Sequence, residues 1–248
     1  MEKKEICKNI KKAIRKITIT SNDVIESLGT GIVINSSGFL LTANHVVSDY
    51  LVSSNKIFVS GIKDTYTIEY KPFFFNVSID MKQKEFLKPI IIDLAILEPL
   101  SKIKTESFIK LSDDIVTEGE DIIMAGFPDD IKPPLNFGQA LNFDNQNLKE
   151  KKYEIEIFFK KSMRLLMVRH GIVGSVQRIK INNINGATYW IDNAVTYGAS
   201  GGPVVDSSGK LIGIISEKGL TDGVDSENLV PSGSTMALSH KLITWKLK

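Results

Sequence analysis

The chain has 248 residues, 42% of them hydrophobic and 24% charged, which is the composition of a soluble globular protein that can bury a core as one large domain or two smaller ones. Lysine and arginine total 31 against 29 aspartates and glutamates, and this net charge of +2 gives no reason to expect a nucleic-acid partner. Cys7 is the only cysteine, so an internal disulfide is excluded and a reducing compartment is favoured.

Residues 1–19 are predicted to form an N-terminal amphipathic helix followed by the first strand. Ile6, Ile10, Ile14 and Ile17 recur every three or four residues, as on one face of a helix. The segment is basic, but it lacks the apolar region and cleavage site of a secretory signal. A helix lying on a membrane surface would show the same pattern. We favour a helix docked on the domain with its lysines in solvent, and no segment has the roughly 18 uninterrupted apolar residues of a membrane span.

Residues 20–113 are predicted to form the first of two β-rich units. "GTGIVINSSGFLLTANHVV" indicates two strands joined by a tight Ser-Ser-Gly turn. "IIIDLAIL" is a continuous β-branched run, typical of a strand buried on both faces. The polar stretch "SDDIVTEGED" that follows is the best internal boundary.

Residues 114–248 are predicted to form the second β-rich unit. "IIMAGF", "ATYWIDNAV", "GPVVD" and "LIGIIS" each indicate a short strand, and "ALSHKLITWKLK" indicates a closing helix. The polar segment 129–152 contains two adjacent prolines and is predicted to be a long surface loop. Many short strands without alternating long helices predict an all-β barrel or sandwich architecture.

The stretch "TYGASGGPVVDSSGKLIGI" places three glycines around one serine, Ser200. Each glycine loses much backbone freedom on folding, so Gly198, Gly201 and Gly202 indicate a conformation that a Cβ would obstruct. One interpretation is a hairpin turn. The other is a serine nucleophile whose neighbouring N–H groups face a developing oxyanion.

A serine nucleophile needs an imidazole that takes its proton and an acid that orients the imidazole. The chain has three histidines, His45, His170 and His240, and His45 lies at the end of an apolar strand, where a ring can be anchored and still reach a cleft. Asp93 interrupts the run "IIIDLAIL", where a carboxylate is costly unless it has partners, and the Nδ1–H of His45 is one such partner. The candidate residues therefore follow the order His45, Asp93, Ser200.

These motifs resemble the trypsin-like serine peptidases of the chymotrypsin fold, nearest to the bacterial high-temperature-requirement type. The similarity lies in "GTGIVINSSGFLLTANHVV", "DLAIL", "AGFP", "HGIVGSV" and "DNAVTYGASGGPVVDSSGKLIGI", in the family's order over residues 25–240. It implies an all-β fold of two six-stranded antiparallel β-barrels, with the site in the cleft between them. With no segment after residue 248 for a peptide-binding domain, we expect the protease domain alone.

The resemblance also implies a role for each site residue. Ser200 would attack the scissile carbonyl, His45 would act as general base and then general acid, and Asp93 would orient His45. Backbone N–H groups of Gly198 and Ser200 would form the oxyanion hole. The substrate (S1) pocket would be formed by five residues, Ala194, Val195, Ser216, Glu217 and Lys218. Ala194 supplies no carboxylate there, so a small or medium aliphatic P1 side chain is expected.

The expected protein is therefore a cytoplasmic serine endopeptidase without metal or organic cofactor, acting on a protein or peptide substrate. An isolated intracellular protease would be dangerous, so we expect restricted specificity or an activating protein partner. His170 and His240 lie in no matching motif and form no recognisable zinc site. An α/β-hydrolase needs the order serine, acid, histidine and is unlike this chain. The alternative from another class is a binding or scaffold module with a protease fold and a latent or inactive site.

Overall fold

The computed structural model describes residues 1–21, 24–51, 55–61, 67–79, 90–128, 166–181, 184–195, 197–222, 229–244 and 247. The predicted surface loop at 129–152 lies outside these residues. Within them are three α-helices, α1 (Lys3–Ala13), α2 (Asn44–Val47) and α3 (Lys241–Thr244), and a 3₁₀ turn at Ser48–Leu51.

The described strands fall into a first and a second set along the chain. The first set is β1 (Ile14–Ser21), β2 (Val24–Val33), β3 (Leu40–Thr42), β4 (Lys56–Ser60), β5 (Ile68–Phe74), β6 (Ser78–Ile79), β7 (Ile90–Ile91) and β8 (Ala95–Pro99). The second set is β9 (Asp121–Gly126), β10 (Met167–Ile181), β11 (Ile184–Asp192), β12 (Pro203–Asp206), β13 (Leu211–Asp222) and β14 (Leu229–Ser239).

Two closed six-stranded antiparallel barrels confirm the predicted fold class. The first has the strand order β1-β2-β3-β8-β5-β4 and the second β10-β11-β14-β13-β12-β9, while β6 and β7 pair separately. Closure removes the unpaired edges that an open antiparallel sheet would expose. The predicted boundary between residues 113 and 114 falls in the connection between β8 and β9, and it stays a prediction.

The N-terminal segment folds as a helix followed by a strand, and the four isoleucines divide between them. Ile6 and Ile10 are buried on α1, whereas Ile14 and Ile17 are buried in β1. The helix ends because Ile14 is extended and begins the alternating run "IRKITITS". Among the described residues, none of the helices is long and apolar enough to cross a membrane.

One hydrophobic cluster continues from the helix through both barrels. It includes Ile10 of α1, Ile32 and Ile96 of the first barrel, and Ile123 and Ile214 of the second. Each fully buried aliphatic side chain contributes about 1.5–3 kcal/mol to folding. This shared core holds the two barrels against each other.

The predicted strand and helix ends differ from the structure in two places. "TANHVV" is not the continuation of a strand: β3 ends at Thr42 and α2 begins at Asn44. The described part of the closing helix α3 begins only at Lys241 and has four residues, because the preceding segment through Ser239 belongs to β14 and completes the second barrel. In both places, pairing with a distant strand decides the boundary, and local sequence carries little information about it.

Candidate active site

His45 is presented by the one-turn helix α2, directly after the buried strand β3. Its neighbours Val46 and Val47 are buried and anchor the turn. Asn44 is tied to Asn76 by two hydrogen bonds of 2.8 and 2.7 Å, one between the side chains and one from the Asn76 N–H. The His45 side chain is still 47% exposed, so an anchored imidazole faces outward from the first barrel.

Asp93 lies between β7 and β8 and binds both N–H groups of His45. Its Oδ1 accepts the backbone N–H at 2.8 Å, and its Oδ2 lies 2.9 Å from Nδ1 of the ring. The hydroxyl of Ser216 donates a further hydrogen bond to Oδ2 from the second barrel. Burying a carboxylate among apolar side chains costs free energy, and these three hydrogen bonds to Asp93 offset that cost.

These contacts shift the pKa values of both His45 and Asp93. The hydrogen bond to Asp93 raises the pKa of His45 above its ordinary value, assisted by the negative charges of Asp93 and Glu217 and opposed by burial. Burial acts to raise the pKa of Asp93, but the hydrogen bonds and charge of His45 and the hydroxyl of Ser216 hold it below its ordinary value. Asp93 is therefore the ionised partner, and Nδ1–H of His45 is the donor.

The Ser200 loop connects β11 to β12 in the second barrel. Gly198 and Gly201 have φ of +84° and +83°, the left-handed conformation that a Cβ disfavours. The Gly201 N–H donates to the Ile215 carbonyl at 2.8 Å, and the Gly202 N–H donates to the Ala199 carbonyl at 2.9 Å. The glycine cluster is thus a hydrogen-bonded, left-handed loop around Ser200.

The Ser200 hydroxyl is oriented toward β13. Among the described residues it donates to the Ser216 carbonyl at 3.4 Å, and no hydrogen bond joins it to His45. Ser216, which the sequence analysis predicts only as a pocket residue, has two contacts that it did not predict: its hydroxyl contacts Asp93 and its carbonyl contacts Ser200. The signal available in the sequence is a serine at the end of the apolar run "LIGIIS". In the structure this serine is 2% exposed.

The remaining predicted pocket residues lie in different surroundings. Ala194 is half-buried, and Val195 is buried in the core of the second barrel. Glu217 follows Ser216 in β13 and is exposed, and its charge acts on His45. Lys218 is the next residue of β13. The assignment of these residues to a substrate pocket stays a prediction.

The other two histidines lie outside this site. His170 in β10 contacts Asp121, with 2.8 Å between Nε2 and Oδ1. His240 is buried with its ring nitrogens beside the Ser112 carbonyl and the Thr244 hydroxyl, and burial lowers the pKa of His240 to about 4. Across the described ranges, no three His, Cys, Asp or Glu side chains are grouped as a metal would require.

Comparison with known proteins shows that the chain is similar to peptidases. Residues 29–214 match the family model of the trypsin-like peptidase domain. The magnetosome formation protease MamE of Magnetospirillum gryphiswaldense is 24% identical over 194 residues, which are 77% of this chain but 19% of that protein. The chain therefore spans about a fifth of this relative's length.

Solved structures show the same fold. The active form of the Rv3671c protease of M. tuberculosis matches 98% of this chain and 82% of its own, with a TM-score of 0.60 and 16% identity. A serine endoprotease of Yersinia pestis matches 100% of this chain and 65% of its own, with a TM-score of 0.60 and 17% identity. At these identities the likeness concerns the arrangement of the two barrels.

Proposed function

Because the chain belongs to the trypsin-like peptidase domain family, we propose that it is a serine endopeptidase that hydrolyses peptide bonds through an acyl-enzyme on Ser200. The observation that carries the proposal is the binding of both N–H groups of His45 by Asp93. This contact makes Nδ1 the protonated ring nitrogen and leaves Nε2 as the base.

In the proposed acylation, the Ser200 hydroxyl turns from the Ser216 carbonyl to Nε2 of His45. Its proton passes to Nε2 as Oγ attacks the carbonyl carbon, and the resulting oxyanion is stabilised by the N–H groups of Gly198 and Ser200. His45 then protonates the leaving amine as the peptide C–N bond breaks. A water molecule, deprotonated by the same ring, hydrolyses the acyl-enzyme and releases Ser200. Asp93 stays ionised throughout, as its lowered pKa favours.

The substrate class we propose is protein or peptide with a small or medium aliphatic P1 side chain, because Ala194 offers no carboxylate to a basic one. We also propose restricted specificity or activation by a protein partner. The orientation of the Ser200 hydroxyl away from His45 supports a resting state that a ligand reorganises. Rapid hydrolysis of unfolded casein by the purified chain alone would contradict this restriction.

The proposed function is tested by treating the purified chain with a fluorophosphonate and measuring the intact mass. We expect a single adduct on the wild-type chain and on Ser37→Ala, which removes an exposed serine in the β2–β3 turn, and no adduct on Ser200→Ala. Reaction requires an activated hydroxyl and oriented oxyanion donors. A folded wild-type chain that stays unlabelled would contradict a peptidase that is active on its own. It would indicate either a latent enzyme that awaits its partner or the binding or scaffold module, and the formed His45–Asp93 pair does not favour the module.

A pH profile tests the contribution of Glu217. General-base catalysis needs neutral His45, so kcat/KM falls as pH falls through the pKa of this ring. The negative charge of Glu217 raises that pKa, so Glu217→Gln is expected to move the acid limb to lower pH. Glu106→Gln removes the same charge from an exposed position that does not act on the His45 pKa. The acid limb of its pH profile should coincide with that of the wild-type chain. An unmoved limb in Glu217→Gln would contradict this interpretation.

A further inference from the structure

Thr30 of the first barrel is joined to the Ser200 loop of the second barrel by its backbone and its side chain. Its hydroxyl donates to the Gly198 carbonyl at 2.8 Å, and its N–H donates to the Ser200 carbonyl at 2.9 Å. The same hydroxyl accepts the N–H of Phe127, directly after β9, at 3.1 Å. Thr30 is 0% exposed, so these bonds form in a water-excluded contact between the barrels.

The strand pairing explains why Thr30 is available for these contacts. β2 pairs with β3 only at Ile32 and Val33, so at Thr30 this edge of β2 faces the loop and not a strand. The Thr30 carbonyl, in turn, accepts the hydroxyl of Thr42 at 2.7 Å. Every hydrogen-bonding group of Thr30 therefore has a partner, and three of the four contacts reach the second barrel or its Ser200 loop.

Two bonds from Thr30 and one bond within the loop fix three successive peptide groups of the loop. The Gly198–Ala199 peptide is held at its carbonyl by the Thr30 hydroxyl, and the next peptide is held by the Gly202 N–H. The peptide that follows Ser200 is held by the Thr30 N–H. Because a peptide group is planar, a bound carbonyl also sets the direction of the N–H on the same peptide. The Ser200 N–H belongs to the peptide that the Gly202 N–H holds, so the Thr30 hydroxyl acts on it through the adjoining Gly198–Ala199 peptide. It acts on the Gly198 N–H through the φ and ψ of Gly198.

We propose that the Thr30 side chain is a positioning residue that orients the oxyanion donors Gly198 and Ser200 from the opposite barrel. This proposal rests on the proposed function, since it assigns those donors their part in acyl transfer. The backbone bond from Thr30 survives any substitution except proline, whereas the bonds to Gly198 and Phe127 require a hydroxyl. Valine has the same shape without one, so Thr30→Val leaves a buried carbonyl and a buried N–H unpaired.

The experiment compares Thr30→Val, Thr30→Ser and Tyr70→Phe with wild type. Tyr70 donates a buried hydrogen bond to the Gly38 carbonyl at the far end of the β2–β3 hairpin, so Tyr70→Phe is a matched loss of a buried bond away from the loop. The rate constant for fluorophosphonate labelling is measured on each folded variant, with kcat and KM for a peptide substrate. We expect Thr30→Val to lower kcat and the labelling rate about 10²-fold, the effect of a lost oxyanion donor, with KM changed far less.

Thr30→Ser keeps the hydroxyl and should restore labelling to near the wild-type rate, and Tyr70→Phe should not change it. If Thr30→Val does not fold, Thr30→Cys replaces it, because a thiol of similar size is a much weaker donor, and we expect at least about a tenfold slower reaction. Labelling of folded Thr30→Val or Thr30→Cys at the wild-type rate would overturn the role of Thr30 while the proposed function stood. An unreactive wild-type chain would instead contradict a peptidase that is active on its own, and with it the role of Thr30 in orienting preformed oxyanion donors.

Discussion

Replacing Asp93 with asparagine is expected to lower kcat by about 10⁴-fold at neutral pH, the loss that this substitution causes in Ser-His-Asp enzymes. The carboxylate accepts Nδ1–H of His45 and so leaves Nε2 as the base. An asparagine amide turned toward the ring would donate to Nδ1, which would place the ring proton on Nε2, facing Ser200. The base would then be lost although every side chain kept its place.

A second histidine–aspartate contact in the same chain supplies the control. Asp121 lies 2.8 Å from Nε2 of His170 in the second barrel, and Asp121→Asn removes the same charge from a comparable pair. We expect its kcat to equal that of wild type, measured on the same peptide substrate after circular dichroism has shown that both variants are folded. Equal activity of folded Asp93→Asn and wild type would contradict the role proposed for Asp93.

Replacing Gly201 with alanine is expected to lower the free energy of unfolding by more than about 4 kcal/mol, a loss confined to substitutions that disrupt the backbone or a buried network. A Cβ at this position would lie 2.0 Å from the Thr30 carbonyl oxygen and 2.2 Å from the Thr42 hydroxyl oxygen. It would also lie 3.1 Å from the backbone nitrogen of Ala43. Because two of these atoms belong to the backbone, the loop must move away from the first barrel, and labelling of Ser200 is expected to be lost as well.

Gly119→Ala is the control that separates the steric clash of a Cβ from the cost of placing alanine in a left-handed conformation. Gly119 has φ of +87°, and a Cβ there would meet nothing within 4 Å, so its substitution carries only the cost of a left-handed residue, about 1–2 kcal/mol. Urea unfolding of both variants measures the difference. Similar losses in the two variants would show that the barrels accommodate a Cβ at Gly201 and would contradict the tight contact described here.

The elements nearest the site show how far local pattern predicts this fold. The Ser-Ser-Gly turn between β2 and β3 forms as expected, with Gly38 at φ +80° and the Asn35 side chain accepting the N–H groups of Ser37 and Phe39. Turn chemistry of this kind acts over four or five residues and can be read from the sequence. The ends of α2 and β14 were predicted less well, because pairing and packing with distant segments decide them.

The candidate site shows the same division between local and distant information. The sequence predicts the candidate residues His45, Asp93 and Ser200 and their order, because each differs in chemistry from the residues around it. Asp93 interrupts an apolar run, for example, and Ser200 lies among glycines. The hydroxyl of Ser216 on Asp93 spans 123 residues of chain, and that of Thr30 on Gly198 spans 168. Serine and threonine occur in many strands, so a serine at the end of an apolar strand is a weak signal and does not identify the partner of its hydroxyl. Only closure of two barrels around a shared core brings their hydroxyls within hydrogen-bonding distance, and that closure is a property of the whole chain.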